Sequence, residues 1–120
     1  RIGCYLQPTA IRVASANSTL MKEETFGPVG SFIAYQDAEA ALEAINSSPF
    51  GLAASVWSYN LSRALRFSER LEAGMVWVNM HTFLDPAVPF GGMKGSGIGR
   101  EFGSAFIDDY TELKSVMVRY

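Results

Sequence analysis

At 120 residues the chain is long enough for one modest domain with a core, and 48% apolar against 18% charged residues argues for folding rather than disorder. Ten basic residues against twelve acidic ones leave a net charge of −2 with no Lys/Arg cluster, which excludes the electrostatic footprint of a nucleic-acid binder. No run approaches the ~18 uninterrupted apolar residues of a membrane-spanning helix, and nothing resembles a signal peptide, so no membrane association is expected.

Pro8 leads into a short strand over residues 9–14 (Thr-Ala-Ile-Arg-Val-Ala). Residues 18–24 suit a short helix capped by Ser18, and Gly27-Pro28 must end it, because proline disfavours the α conformation in the residue before it. Residues 29–35 form an apolar-rich run, the pattern of a strand buried on both faces. Asp37 is an N-cap for a helix over 38–47, in which Ala38, Ala41, Leu42 and Ile45 fall on one stripe. The cluster Ser48-Pro49-Phe50-Gly51 breaks the pattern, and 53–57 reads as a second buried strand. Asn60 caps a helix from 61 to about 72, with Ala64, Leu65 and Leu71 inward and Gly74 as its C-cap. Residues 75–78 make a third strand; Trp57 and Trp77 both fall in predicted buried strands and read as core.

Strand, helix, strand, helix, strand with short links predicts an α/β fold: a parallel βαβ sheet of these three strands with flanking helices. Ligands of such sheets bind at the carboxyl ends of the strands, which directs attention to the segment after Asn79. There the regular pattern fails. Pro86 and Pro89 are followed by six glycines between residues 91 and 103, a long Gly-rich loop of the kind that is usually functional. A short helix over 104–110 follows. Residues 113–120 end the chain as an alternating strand, a natural pairing surface for another chain.

Three segments, in order, resemble the NAD(P)-dependent aldehyde dehydrogenases. Gly3-Cys4-Tyr5-Leu6-Gln7-Pro8-Thr9 is similar to that family's Gly-x-(Tyr/Phe)-x-x-Pro-Thr. Glu23-Glu24-Thr25-Phe26-Gly27-Pro28 is similar to its Glu-Glu-x-Phe-Gly-Pro. Val76-Trp77-Val78-Asn79, followed by the run from Pro89 to Glu101, is the third. The resemblance covers essentially the whole chain and implies a C-terminal portion: residues 1–112 as the end of a catalytic domain, and 113–120 as an oligomerisation strand joining a homodimer or homotetramer.

In that family a cysteine thiolate attacks the aldehyde, hydride passes to the nicotinamide, and water releases the acid with a glutamate as general base. The resemblance implies that Glu24 accepts hydrogen bonds from the nicotinamide ribose diol of NAD or NADP in the complete enzyme, a charge-assisted contact of ~1.5–3 kcal/mol. It implies that Phe26 packs near the nicotinamide, and that Thr82, Leu84 and Phe90 line the aldehyde tunnel. The wording of residues 79–86 looks closest to phenylacetaldehyde-type members. The family's nucleophilic cysteine, general base, oxyanion-holding asparagine and dinucleotide turn all lie upstream of the first matched motif. Catalytic residues are therefore expected outside this chain, which is expected to be inactive alone. The alternative is a stand-alone, non-catalytic α/β interaction module derived from this family.

Cys4, the single cysteine, lacks the family's Gln-x-Cys context and reads as inert and partly buried. With no intrachain disulfide possible, a reducing, cytoplasmic location is expected. The chain starts at Arg1, which is compatible with a fragment, a processed form or the ordered part of something longer. His81, the single histidine, has no second ligand cluster, so no metal is expected. A phosphate-loop reading of the glycines fails in detail. Lys94 precedes Gly95 where a Walker loop needs Gly-Lys-Ser/Thr, and 95–99 lack dinucleotide spacing. Close backbone packing is the better account of them, and Arg100-Glu101 reads as a local ion pair.

Overall fold

The structure, a computed structural model, describes residues 3–120. The chain forms two compact units, one ending at Ser48 and the other beginning at Pro49.

In the first unit, strand β1 (Thr9–Arg12) pairs in parallel with β2 (Val29–Phe32), Thr9 opposite Val29 and Arg12 opposite Phe32. A parallel pair needs a crossover, and this one contains the single-turn helix α1 (Thr19–Lys22). The Ser31 hydroxyl donates to the Leu20 carbonyl at 3.3 Å, tying the crossover to β2. Ser18 stands at the N-cap but makes no side-chain cap bond. Helix α2 (Ala38–Asn46) starts at Asp37, whose carboxylate accepts from the Glu39 and Ala40 N–H groups, both at 3.2 Å. Leu42 is its buried residue; Ile45, in the last turn, remains 47% exposed, so the apolar stripe is narrower than its spacing predicts.

The second unit is built on a βαβ crossover. Strand β4 (Ala53–Val56) pairs in parallel with β5 (Met75–Val78), and helix α3 (Leu61–Ser68) packs on both. Asn60 caps α3 by accepting from the Arg63 N–H at 2.9 Å. Ala64, Leu71 and Trp77 form the buried centre. A small antiparallel pair, β3 (Phe50–Gly51) with β6 (Met93–Lys94), brings the glycine-rich segment back to the start of the unit. Helix α4 (Phe106–Asp109) is one turn long.

The parallel α/β character matches expectation; the sheet does not. Strand β2 pairs with β1, and the hydrogen-bonded sheets among the described residues are all two-stranded. The βαβαβ pattern assumes that each strand pairs with the next one along, but the nearer segment β1 supplies the partner of β2. Helix α3 also ends earlier than predicted, with Glu69 as its C-cap rather than closing at Gly74. Three-residue turns follow, Arg70 N–H to Phe67 carbonyl and Leu71 N–H to Ser68 carbonyl, which tighten the exit and still turn Leu71 inward. The Gly74 N–H instead bonds to the Gly51 carbonyl at 3.0 Å. Strand β2 stops at Phe32, which is exposed, rather than running buried to Tyr35. Trp77 is buried as expected, but Trp57 is 66% exposed, because β4 ends one residue before it. Residues 113–120 have no hydrogen-bonded strand partner among the described residues, and Leu113, Met117 and Tyr120 are fully exposed. No helix among the described residues is long and apolar enough to cross a membrane.

The α2 cap gives a direct check on this reading. Asp37→Ala should cost about 1 kcal/mol of stability, measured by chemical denaturation, since two amide donors lose their acceptor. An unchanged midpoint would show that the cap contributes nothing.

Candidate cofactor and substrate sites

Glu24 and Phe26 lie in the first unit; Thr82, Leu84 and Phe90 lie in the second. Each group has its own local architecture.

Helix α1 ends at Lys22; the N–H of its C-cap, Glu23, bonds to the Thr19 carbonyl, and the Glu23 backbone has already turned extended (φ −101°, ψ 142°). Gly27 N–H to Thr25 carbonyl (3.0 Å) and Val29 N–H to Gly27 carbonyl (2.8 Å) then make two tight turns. The Thr9 N–H reaches the Pro28 carbonyl at 2.8 Å, fixing the end of the segment to β1. Glu24 and Phe26 therefore stand on a short span held at both ends. Both are exposed, Phe26 at 93%. Among the described residues the Glu24 carboxylate makes no hydrogen bond or ion pair, and the Phe26 ring has no aromatic partner. An anionic acceptor two residues from a flat apolar face, neither engaged by another described residue, suits a ligand carrying hydroxyl donors and a ring.

In the second unit everything follows from the end of β5. Asn79 adopts φ +56°, a left-handed conformation that asparagine tolerates. Its side chain clamps Ser58, accepting from the Ser58 N–H at 2.8 Å and donating to the Ser58 carbonyl at 3.0 Å. Its own N–H bonds to the Val56 carbonyl at 2.8 Å. This clamp locks the carboxyl ends of β4 and β5 together and fixes where the following loop departs. Thr82 (φ +58°) and Leu84 lie two residues apart in that loop, both exposed. A β-branched residue in the left-handed region stores strain on the order of 1–3 kcal/mol, which the surroundings must hold. Phe90, half-buried, sits at the far end of the loop. It pairs with Glu101 through two 2.7 Å backbone hydrogen bonds.

The glycine segment is packed too closely for side chains at several positions. A side chain on Gly74 would collide with the Gly91 carbonyl. At Gly103 (φ +63°) it would come within 2.8 Å of the Pro89 ring. The Arg100 guanidinium donates to the Gly92 carbonyl (2.9 Å) and the Gly99 carbonyl (2.7 Å), so it braces this segment rather than pairing with Glu101. The Ser96 hydroxyl accepts from the Gly51 N–H at 2.9 Å, and Lys94 Nζ lies 2.7 Å from Glu72 Oε2. Cys4 is exposed, not partly buried. His81 packs edge-on against Trp77, and no group of three or more His, Cys, Asp or Glu among the described residues could hold a metal.

The Asn79 clamp and the Arg100 brace are the structural features that sequence reasoning missed. An asparagine just past a strand end is the available signal for the first; nothing in the local sequence marks the second.

Each unit is built on a parallel strand pair joined by a crossover, which defines an α/β scaffold. Comparison with known proteins makes the family specific: residues 1–116 match the aldehyde dehydrogenase family, and the chain belongs to it. It is 42% identical over 119 residues to the phenylacetaldehyde dehydrogenase of Pseudomonas fluorescens, covering 98% of this chain and 24% of that protein. A betaine aldehyde dehydrogenase of Cereibacter sphaeroides (strain ATCC 17029 / ATH 2.4.9) is 43% identical over 116 residues, covering 97% of this chain and 24% of the relative. Among solved structures, a mutant of the P. syringae indole-3-acetaldehyde dehydrogenase AldA, in complex with NAD+ and IAA, superposes with a TM-score of 0.87 at 42% identity, covering 97% of this chain and 23% of that one. The chain thus spans about a quarter of the length of the relatives it matches.

Asn79→Ala should lower stability by about 1–3 kcal/mol in denaturant unfolding, because it removes both hydrogen bonds to Ser58 and favours the wrong backbone region. A change below a few tenths of a kcal/mol would mean that the clamp does not hold the strand ends.

Proposed function

We propose that this chain is the C-terminal part of the catalytic domain of an NAD(P)-dependent aldehyde dehydrogenase that oxidises an aldehyde to a carboxylic acid. In this reading Glu24 accepts hydrogen bonds from the nicotinamide ribose hydroxyls, and Phe26 covers the ring edge beside them. Thr82, Leu84 and Phe90 contribute to the aldehyde tunnel, and 113–120 pairs with a second subunit. The observation that carries the reading is the pair Glu24 and Phe26, unengaged by the chain's own described residues on a span held at both ends. Their chemistry fits the cofactor: a carboxylate is acceptor-only and suits two hydroxyl donors, and an exposed ring gains by covering an apolar face.

When bound, NAD(P) supplies the hydride acceptor. Glu24 and Phe26 would hold it at its ribose and ring, and orienting a bound reactant in this way lowers the entropic cost of reaction. The single cysteine sits on an exposed segment, in a context unlike the family's nucleophile, so the chain by itself is inactive in this reading. The exposed apolar residues Ile98, Leu113 and Met117 support burial of these surfaces against further protein. The location proposed is the cytoplasm, where an exposed thiol stays reduced.

Glu24→Gln, made in the longest polypeptide that carries this chain, tests the role directly. The variant keeps shape and loses charge, so kcat or kcat/KM for the cofactor should fall roughly 10–100-fold, with folding unchanged by circular dichroism. Unchanged kinetics, or aldehyde turnover by the purified 120 residues alone, would contradict the proposal.

A further inference from the structure

Trp77 is buried, at 8% exposure, but it does more than fill the second unit. Its indole N–H donates across six residues to the Phe83 carbonyl at 2.8 Å. Its ring meets the His81 ring edge-on, with centroids 5.2 Å apart and planes at 72°. His81 and Phe83 are the two neighbours of Thr82, the residue held at φ +58°. One side chain on β5 therefore grips the loop on both sides of its strained threonine.

Few other contacts compete for that task. The Thr82 hydroxyl donates to its neighbour, the His81 carbonyl, at 2.8 Å, and so does not reach the strand. Asp85 makes only local turns, to Ala87 and Val88. Among the described residues, the other hydrogen bond that ties residues 80–89 to the rest of the unit runs from the Gly103 N–H to the Pro86 carbonyl, at 2.9 Å, beyond Leu84. The stance of Thr82 and Leu84 therefore depends on Trp77. Strain at a non-glycine residue persists only where surroundings over-determine it, and the indole supplies that surrounding from below.

We propose that Trp77 is a positioning residue for aldehyde selection: through the Phe83 carbonyl and the His81 ring it sets where Thr82 and Leu84 stand, without touching the substrate. The inference rests on the reading of residues 80–90 as the aldehyde-facing loop, and its test separates the two. Trp77→Phe keeps an aromatic ring in the centre of the unit and removes the N–H; the Phe83 carbonyl it releases lies on an exposed residue, where water can replace the donor. Leu84→Ala alters the loop itself.

Both variants are made in the full-length polypeptide that carries this chain. KM and kcat are measured for phenylacetaldehyde and acetaldehyde, and amide hydrogen exchange is followed at residues 80–84. For Trp77→Phe we expect faster exchange in that segment and a roughly 2–10-fold change in preference between the two aldehydes, carried mainly by KM, with KM for the cofactor unchanged. Unaltered exchange would overturn the proposal, since the indole would then not hold the loop. An altered preference in Leu84→Ala with none in Trp77→Phe would overturn the role of Trp77 and leave the loop's role intact. Faster exchange with no altered preference in either variant would overturn the aldehyde-facing reading and the inference with it.

Discussion

The second unit depends on the way strand β5 is held. It pairs with β4 along its whole length, receives α3 on one face, and ends in a side-chain clamp on Ser58. Trp77 points inward from it and Asn79 terminates it. Everything downstream is placed by reference to that end: the loop to Phe90, the backbone bridge to Glu101, and the glycine segment that returns to β3. Two neutral hydrogen bonds at Asn79 contribute modestly, about 1 kcal/mol each. Burial of the indole contributes more, since truncating a core tryptophan typically costs about 3–5 kcal/mol. The strand's position is thus a packing effect, and the loop's direction a hydrogen-bonding effect.

The glycine segment illustrates a second constraint. Its close approaches leave a Cβ no room, against main chain at Gly92 and against the Pro89 ring at Gly103, and its Arg100 guanidinium is spent on carbonyls. A loop that offers N–H groups to phosphate needs those groups free and a cation aimed outward. Here Arg100 turns back on Gly92 and Gly99, and Lys94 lies against Glu72. Close packing therefore accounts for this segment better than an anion cradle does.

What the sequence makes legible follows from how local the governing interaction is. The caps at Asp37 and Asn60 are decided within three residues, and both stand where the sequence places them. Strand β5 is likewise where its pattern puts it. Pairing is not local: the choice of β1 as the partner of β2 depends on the crossover's path, which periodicity does not encode. Trp57 and Trp77 read alike in sequence, yet one falls just past a strand end and the other inside a strand. For the candidate sites, motif likeness singled out Glu24, Phe26, Thr82, Leu84 and Phe90; the first two stand exposed on a short span, and no other described residue engages them. The left-handed Thr82 and the indole bond to Phe83 were not legible, because both are set by contacts across the turn.

In the function we propose, the acid–aromatic span serves the nicotinamide end of a cofactor while the loop after β5 faces the aldehyde. The most direct measurement is a crystal structure of the full-length polypeptide with NAD(P)+ and an unreactive aldehyde analogue bound. The Glu24 carboxylate is expected at hydrogen-bond distance from both nicotinamide ribose hydroxyls, Phe26 against the nicotinamide, and Thr82, Leu84 and Phe90 in contact with the analogue. A cofactor bound with Glu24 in solvent, or an analogue remote from residues 80–90, would contradict it.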